Sequence, residues 1–223
     1  MSRIPHLLIQ SSEDGFLAPW PDLAQNEWDE QKLIAQLAQH DERAFNVLVR
    51  TYEHRVFGLV FRMIGNRAEA EELSQEVFYQ VFKAIGSFRG ESKLSTWIYR
   101  IAVNLCKNRA KYLKVRKTDA QVDIDDHADR APLAEARGSN VGHIERPDEA
   151  MEGRQLEKIV RDSILEIDPV FRECLVLRDV EELSYEEIGE ITNLPAGTVK
   201  SRIFRARAQL KEMVEKKLGE KIG

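Results

Sequence analysis

The chain has 223 residues, of which 43% are hydrophobic, 32% charged and 8% aromatic, with a formal net charge of −5. Such a length and apolar content allow one or two cores, and the charged, aromatic-poor composition points to an all-α protein. No apolar run approaches the ~20 residues that cross a bilayer, and the start of the chain is too acidic and too weakly apolar for a secretion signal, so the reading is a cytoplasmic protein without membrane insertion.

Two cysteines, Cys106 and Cys174, stand far apart with no Cys or His at metal-ligand spacing. They read as reduced, semi-buried thiols, and no metal site is expected. The five histidines are scattered. No Ser-His-Asp order, carboxylate pair or glycine-rich phosphate loop stands out, so no catalytic residues and no cofactor are assigned and the chain is not read as an enzyme.

Residues 1–27 carry Pro5, Pro19, Pro21 and Gly15 without sustained periodicity and read as a flexible extension. Helical order starts near Trp28, with Leu33, Ile34, Leu37 and Ala38 on one stripe. Asp41 caps a longer helix whose inner side holds Phe45, Leu48, Val49, Tyr52, Val56, Leu59, Val60 and Met63, and Gly65 ends it. Asn66 with Glu69 starts a third helix with Leu73, Val77, Val81 and Ile85 inward. Its opposite face presents Glu72, Gln75, Glu76, Tyr79 and Lys83, which alone reads as a solvent-facing stripe.

The turn IGSFRGESKL leads into a helix running to about Lys117, with Trp97, Ile98, Ile101, Ala102 and Leu105 inward and Arg100, Asn104, Lys107, Asn108, Lys111 and Lys114 outward. Residues 89–117 hold nine cations and a single acid, Glu91. That is one basic site. Over 118–152 the balance inverts to ten acids against three arginines and the helical period is lost. Residues 117–150 therefore read as an acidic flexible linker.

Beyond it, Leu156, Ile159, Val160, Ile164 and Leu165 form one helix, Asp168 and Pro169 break it, and Phe171, Cys174, Leu175, Leu177 and Val180 form the next. The stretch LSYEEIGEITNLPAGTVKSRIFRAR, residues 183–207, follows. Ser184 and Glu187 have capping-box spacing, Asn193 suits a left-handed helix end, and Pro195 suits the first position of a second helix. That second helix turns Val199, Ile203, Ala206 and Leu210 inward and Lys200, Ser201, Arg202, Phe204 and Arg205 outward. Residues 195–217 hold seven cations against Glu212 and Glu215. A charge-rich helix alone is often only a solvated face; a capped helix, a tight turn and a polarised second helix together read as a helix-turn-helix that binds DNA. Lys200, Ser201, Phe204 and Arg205 suit base edges and a thymine methyl, with Arg202 and Arg207 on phosphates.

The 183–207 stretch resembles the −35-reading region of sigma-70 family transcription factors, in particular the extracytoplasmic function group. Two earlier segments are similar to the same family: AEAEELSQEVFYQVFKAIGSFRGESKLSTWIYRIAVNLCKN to its paired core-binding and −10-reading regions, and DERAFNVLVRTYEHRVFGLVFRMIGN to the preceding helix. The resemblance implies a region 2-like domain at 28–116, a region 4-like domain at 151–217 and a tail at 218–223. It implies that Glu72, Gln75, Glu76 and Tyr79 dock on the coiled coil of the largest RNA polymerase subunit, with a further contact to the polymerase flap. It implies that the turn from Phe88 to Ser95 receives a flipped −10 base, and that Asn104, Lys107 and Asn108 face −10 DNA. Arg89, Trp97, Arg100 and Lys111 join that set because parted strands are held by cations and planar side chains. Trp97 also shares the inner stripe with Ile101, which favours a core position for it. Promoter DNA, core polymerase and an anti-sigma factor are the implied partners. Two alternatives stand beside this reading: a free-standing regulator binding duplex DNA as a dimer through the same helix-turn-helix, and a helical interaction protein whose basic helices bind partners.

Overall fold

A computed structural model describes residues 30–120 and 147–222, with side chains placed over 30–113 and 155–219. These residues are helical and contain no strand. In chain order they form α1 (Glu30–Ala38), α2 (Glu42–Ile64), α3 (Arg67–Ala84), a 3₁₀ turn (Ile85–Ser87), α4 (Leu94–Ala120), α5 (Pro147–Glu166), α6 (Pro169–Asp179), α7 (Tyr185–Thr192) and α8 (Ala196–Ile222). The 1–27 extension lies outside the described residues, as does most of the 117–150 linker, into which α4 and α5 each extend by a few residues.

Local chemistry sets the helix ends. The Ala44 amide donates to Asp41 Oδ1 at 2.8 Å, and the Glu69 amide to Asn66 Oδ1 at 3.0 Å. Gly65 closes α2 at φ 82°, in the left-handed region that costs a residue with a side chain about 1 kcal/mol. Asp168, on which the Val170 amide sits at 2.9 Å, caps α6, and Pro169 takes a first-turn position where no amide is needed.

In the first half, Leu48, Tyr52, Val56 and Leu59 of α2 meet Leu73, Val77 and Val81 of α3 and Leu94, Ile98 and Ala102 of α4. Glu30 of α1 caps α4 from 64 residues away, its Oε1 accepting the Leu94 amide at 3.0 Å. In the second half α6 is central. Its Cys174, Leu175 and Leu177 pack with Ile188 and Ile191 of α7 and Val199, Ile203 and Ala206 of α8.

The two halves are packed on each other, and their buried residues form one continuous cluster. At the junction Leu165 of α5 rests on Gly65, so closely that a Cβ there would lie 3.0 Å from Leu165 Cδ2. Arg172 Nη1 of α6 donates to the Met63 carbonyl at 2.9 Å. This packing explains where burial departs from the sequence reading. Tyr99, Val103 and Cys106 of α4 are buried, whereas the expected inner residues Trp97, Ile101 and Leu105 are half-buried, because α4 packs against α7 as well as α2 and α3. Leu156, expected on the inner face of α5, is 45% exposed. Pro195 precedes α8: its carbonyl accepts the Thr198 and Val199 amides, so it is the cap residue and not the first helical one.

Candidate nucleic-acid interface

The second helix of the helix-turn-helix is held by its inner side and offered by its outer one. Both reciprocal capping-box bonds are present: the Glu187 amide donates to Ser184 Oγ at 3.1 Å, and the Ser184 amide to Glu187 Oε2 at 2.8 Å. Asn193 takes φ 58° and ψ 45°, which turns the chain, and the Leu194 amide returns to the Gly189 carbonyl at 3.1 Å. A Cβ on Gly189 would lie 2.9 Å from the Leu194 oxygen, so the turn needs glycine there. Val199, Ile203 and Ala206 are buried and Leu210 half-buried. Lys200, Ser201, Phe204 and Arg205 point to solvent, Phe204 with 76% of its surface exposed. Ser201 donates to the Thr198 carbonyl at 2.9 Å, which leaves its lone pairs outward.

Arg202 and Arg207 differ from these four. Arg202 Nη1 lies 3.7 Å from Glu173 Oε1 and 3.4 Å from the Val170 carbonyl, and Arg207 grips Asp179 with both arms of its guanidinium, its Nε donating at 2.9 Å. Both tie α8 to α6. The Asp179 hydrogen bond holds the Arg207 guanidinium above the usual arginine range.

In the first half, Phe88 and Trp97 stack at a tilt with centroids 5.2 Å apart, so the turn before α4 is fastened over the helix start. Trp97 is half-buried, packing on the core on one side and under Phe88 on the other. Arg89 is exposed and Ser95 partly so. Asn104, Asn108 and Lys111 are exposed along α4. Arg100 and Lys107 turn towards the second half: Arg100 Nη2 is 3.8 Å from Glu190, and Lys107 Nζ is 3.1 Å from Glu173.

On α3, Gln75 and Tyr79 are exposed, and the Lys83 ammonium lies 5.3 Å from the Tyr79 ring centroid. Glu76 accepts from Gln80 at 2.6 Å, and Glu72 pairs with Arg109 of α4 at 3.1 Å. The stripe is continuous along the helix but not wholly unengaged.

Sequence reasoning placed Glu187 in the capping box but missed its pairing with Lys93, and missed Glu173 of α6 and Glu181 of the link between α6 and α7. Glu173, with 4% of its side chain exposed, sits between Lys107 and Arg202. Burial pushes its carboxyl above the usual range, Lys107 and Arg202 opposing the shift. Glu181 is raised in the same way by burial, with Tyr99, Arg62 and Arg55 around it. Glu187 accepts from Ser184 and from Lys93 at 2.9 Å; burial is the largest influence on it, but these bonds together hold its pKa below the usual value. One signal was available: Glu173 is an acid inside the apolar run FRECLVL.

A helical protein with a basic helix in each half, one presented by a helix-turn-helix, belongs to the class of multi-part DNA-reading factors. Comparison with known families narrows this. Residues 48–116 match the Sigma-70 region 2 model and residues 158–210 the Sigma-70, region 4 model. The chain is 37% identical over 191 residues to the RNA polymerase sigma-H factor of Pseudomonas aeruginosa, covering 86% of this chain and 96% of that one. It is 38% identical to the ECF RNA polymerase sigma-E factor of Haemophilus influenzae, covering 85% and 95%, and 37% identical to that of Escherichia coli, covering 83% and 94%. Its fold is similar to that of the sigma factor RpoE solved with the anti-sigma factor NepR from Bartonella quintana, with a TM-score of 0.59, 19% identity and coverage of 77% and 96%. It is also similar to CnrH solved with the cytosolic domain of CnrY, with a TM-score of 0.57, 20% identity and coverage of 83% and 97%. The chain belongs to the extracytoplasmic function group of the sigma-70 family and directs promoter-specific transcription initiation. A free-standing dimeric regulator is not favoured, because the first half matches the region 2 model and the second the region 4 model.

Proposed function

We propose that the chain binds core RNA polymerase in the cytoplasm and lends it promoter specificity, the chemistry belonging to the polymerase. α8 reads the −35 duplex through Lys200, Ser201, Phe204 and Arg205, with Arg202 and Arg207 near phosphates. The Phe88 to Ser95 turn takes a flipped −10 base, and Trp97, Arg100, Asn104, Lys107, Asn108 and Lys111 hold the separated strand. Glu72, Gln75, Glu76 and Tyr79 dock on the coiled coil of the largest polymerase subunit, and the C-terminal half on the flap. An anti-sigma factor restrains the chain, as the Bartonella neighbour was solved with one.

The observation that carries this is the outer face of α8, where an aromatic ring 76% exposed stands among Lys200, Ser201 and Arg205 on a helix anchored by its other side. Run-off transcription by purified bacterial core on a pooled genomic library, with and without the chain, tests it. New start sites sharing a −35 and −10 pair are expected. Core that neither binds the chain nor gains new starts would refute the reading.

A further inference from the structure

The turn that precedes α4 is held at its two ends. Between them Arg89, Gly90, Glu91 and Lys93 are exposed, and Gly90 takes φ 71° with open space where a Cβ would stand. The entry is fixed by the Phe88 amide, which donates to the Ile85 carbonyl at 3.0 Å, and by the Phe88 ring on Trp97. The exit is the first turn of α4. Its cap position falls on Lys93, whose carbonyl accepts the Trp97 amide at 3.1 Å. A lysine side chain has donors only, so it cannot accept a helix-start amide, and its charge opposes the helix dipole.

The acceptor comes instead from α1. Glu30 Oε1 takes the Leu94 amide at 3.0 Å, and Leu94 is buried. α1 is seated by the buried Leu33 and Leu37 and packs on the 3₁₀ turn at Ile85–Ser87 as well as on α2. One short helix therefore braces the 88–95 turn at both its entry and its exit. It lies ahead of residues 48–116, which match the region 2 model.

We propose that Glu30 is a positioning residue for the −10 base: by holding the Leu94 amide it fixes the exit of the Phe88 to Ser95 turn, which keeps the shape that seats a flipped base, while Glu30 itself touches no DNA. This rests on the reading that the turn takes that base. A turn shaped in advance loses no further backbone freedom when the base arrives. Without the bond, α4 would start on an unpaired amide behind a lysine, and the exposed residues of the turn would have one fixed end instead of two.

The test uses the full-length chain with purified core on a promoter taken from the run-off library. Abasic sites are placed one at a time along the non-template strand of the −10 element, and the transcript ratio of intact to abasic template measures how well each base is seated. The wild type should show one position with the largest ratio. Glu30→Asp keeps the charge but is one methylene too short to reach the amide. It should lower the ratio at that position about fivefold, the factor set by the ~1 kcal/mol of a helix cap, with transcription from the abasic template unchanged. Glu30→Gln keeps an acceptor oxygen at the same reach and should hold the wild-type ratio. Asn66→Ala removes a cap from the far end of the 18-residue α3, roughly 27 Å from the turn at ~1.5 Å per residue. It should lower the melting temperature by a few degrees, as Glu30→Asp does, while leaving the ratio alone. A wild-type ratio for Glu30→Asp, or an equal fall for Asn66→Ala or Glu30→Gln, overturns the proposal and leaves the turn assigned to the base. A wild type indifferent to a missing base at every −10 position overturns that assignment and the proposal with it.

Discussion

Arg205 and Arg207 are two residues apart on α8 and do different work. Arg205 is exposed and has no ion-pair partner among the described residues, whereas Arg207 holds Asp179. Replacing Arg205 with alanine should lower transcription from a −35-dependent promoter by roughly tenfold, within the ~1–3 kcal/mol of a single base contact, and leave core binding intact as judged by gel filtration with polymerase. Loss of core binding as well would mean that the fold had failed. Arg207→Ala should also lower the melting temperature, since it removes a tie between α8 and α6. The thiols make a separate prediction at this scale. Burial pushes Cys106 up to about 12 and Cys174 up to about 11, so both stay protonated and shielded near neutral pH. A thiol reagent should find neither cysteine quickly in the folded chain and both after denaturation; rapid labelling of either would contradict the packing.

Among the elements, those governed by nearest neighbours were legible in the sequence. Asp41, Gly65, Asn66, Asp168, Ser184 with Glu187, and Asn193 all take the end positions that their chemistry suggests, because a cap is settled within about four residues. What lay beyond reach depends on partners distant in the chain. Glu30 caps α4 across 64 residues, and Tyr99, Val103 and Cys106 are buried by packing that helical periodicity does not encode. At the candidate site the free face of α8 followed from its amphipathic pattern. The engagement of Arg100, Lys107 and Arg202 by acids did not, since no local rule brings Glu173 and Glu190 to them. The capping box gives the prediction at this scale. α7 has only eight residues, too short to hold without its end bonds. Ser184→Ala should cost about 1 kcal/mol, or ~2–4 °C in a thermal melt of a chain this size, and weaken −35 reading by loosening the support of α8. An unchanged melt would mean that packing alone holds α7.

For the whole molecule, the all-α class and the presence of one basic segment in each half, 89–117 and 195–217, were written in composition and charge distribution, while the packing of one half on the other was not. That packing sets a pH dependence. Glu173 and Glu181 have carboxyls raised above the usual range by burial, so the packed state binds their protons more firmly than the unfolded chain does. Their ionisation therefore lowers stability as pH rises from the usual carboxylate range through the raised values. Glu187 has the opposite sign: its contribution is present above the usual range and is lost as pH falls through its lowered value. Thermal melts should accordingly decline as pH rises above the usual carboxylate range, and Glu181→Gln should flatten part of that slope. The same charges govern DNA binding. Phosphate contacts dominate affinity, yet the chain carries a net charge of −5, and Arg100 and Lys107 are already paired with Glu190 and Glu173. Free chain should therefore bind promoter duplex more weakly than about 1 µM at ~0.15 M salt, measured by anisotropy, while the complex with core binds tightly and loses affinity steeply as salt rises. Submicromolar promoter binding by the isolated wild type at that salt would contradict this, because neither the net charge nor the pairing of Arg100 and Lys107 with Glu190 and Glu173 would then be limiting the affinity.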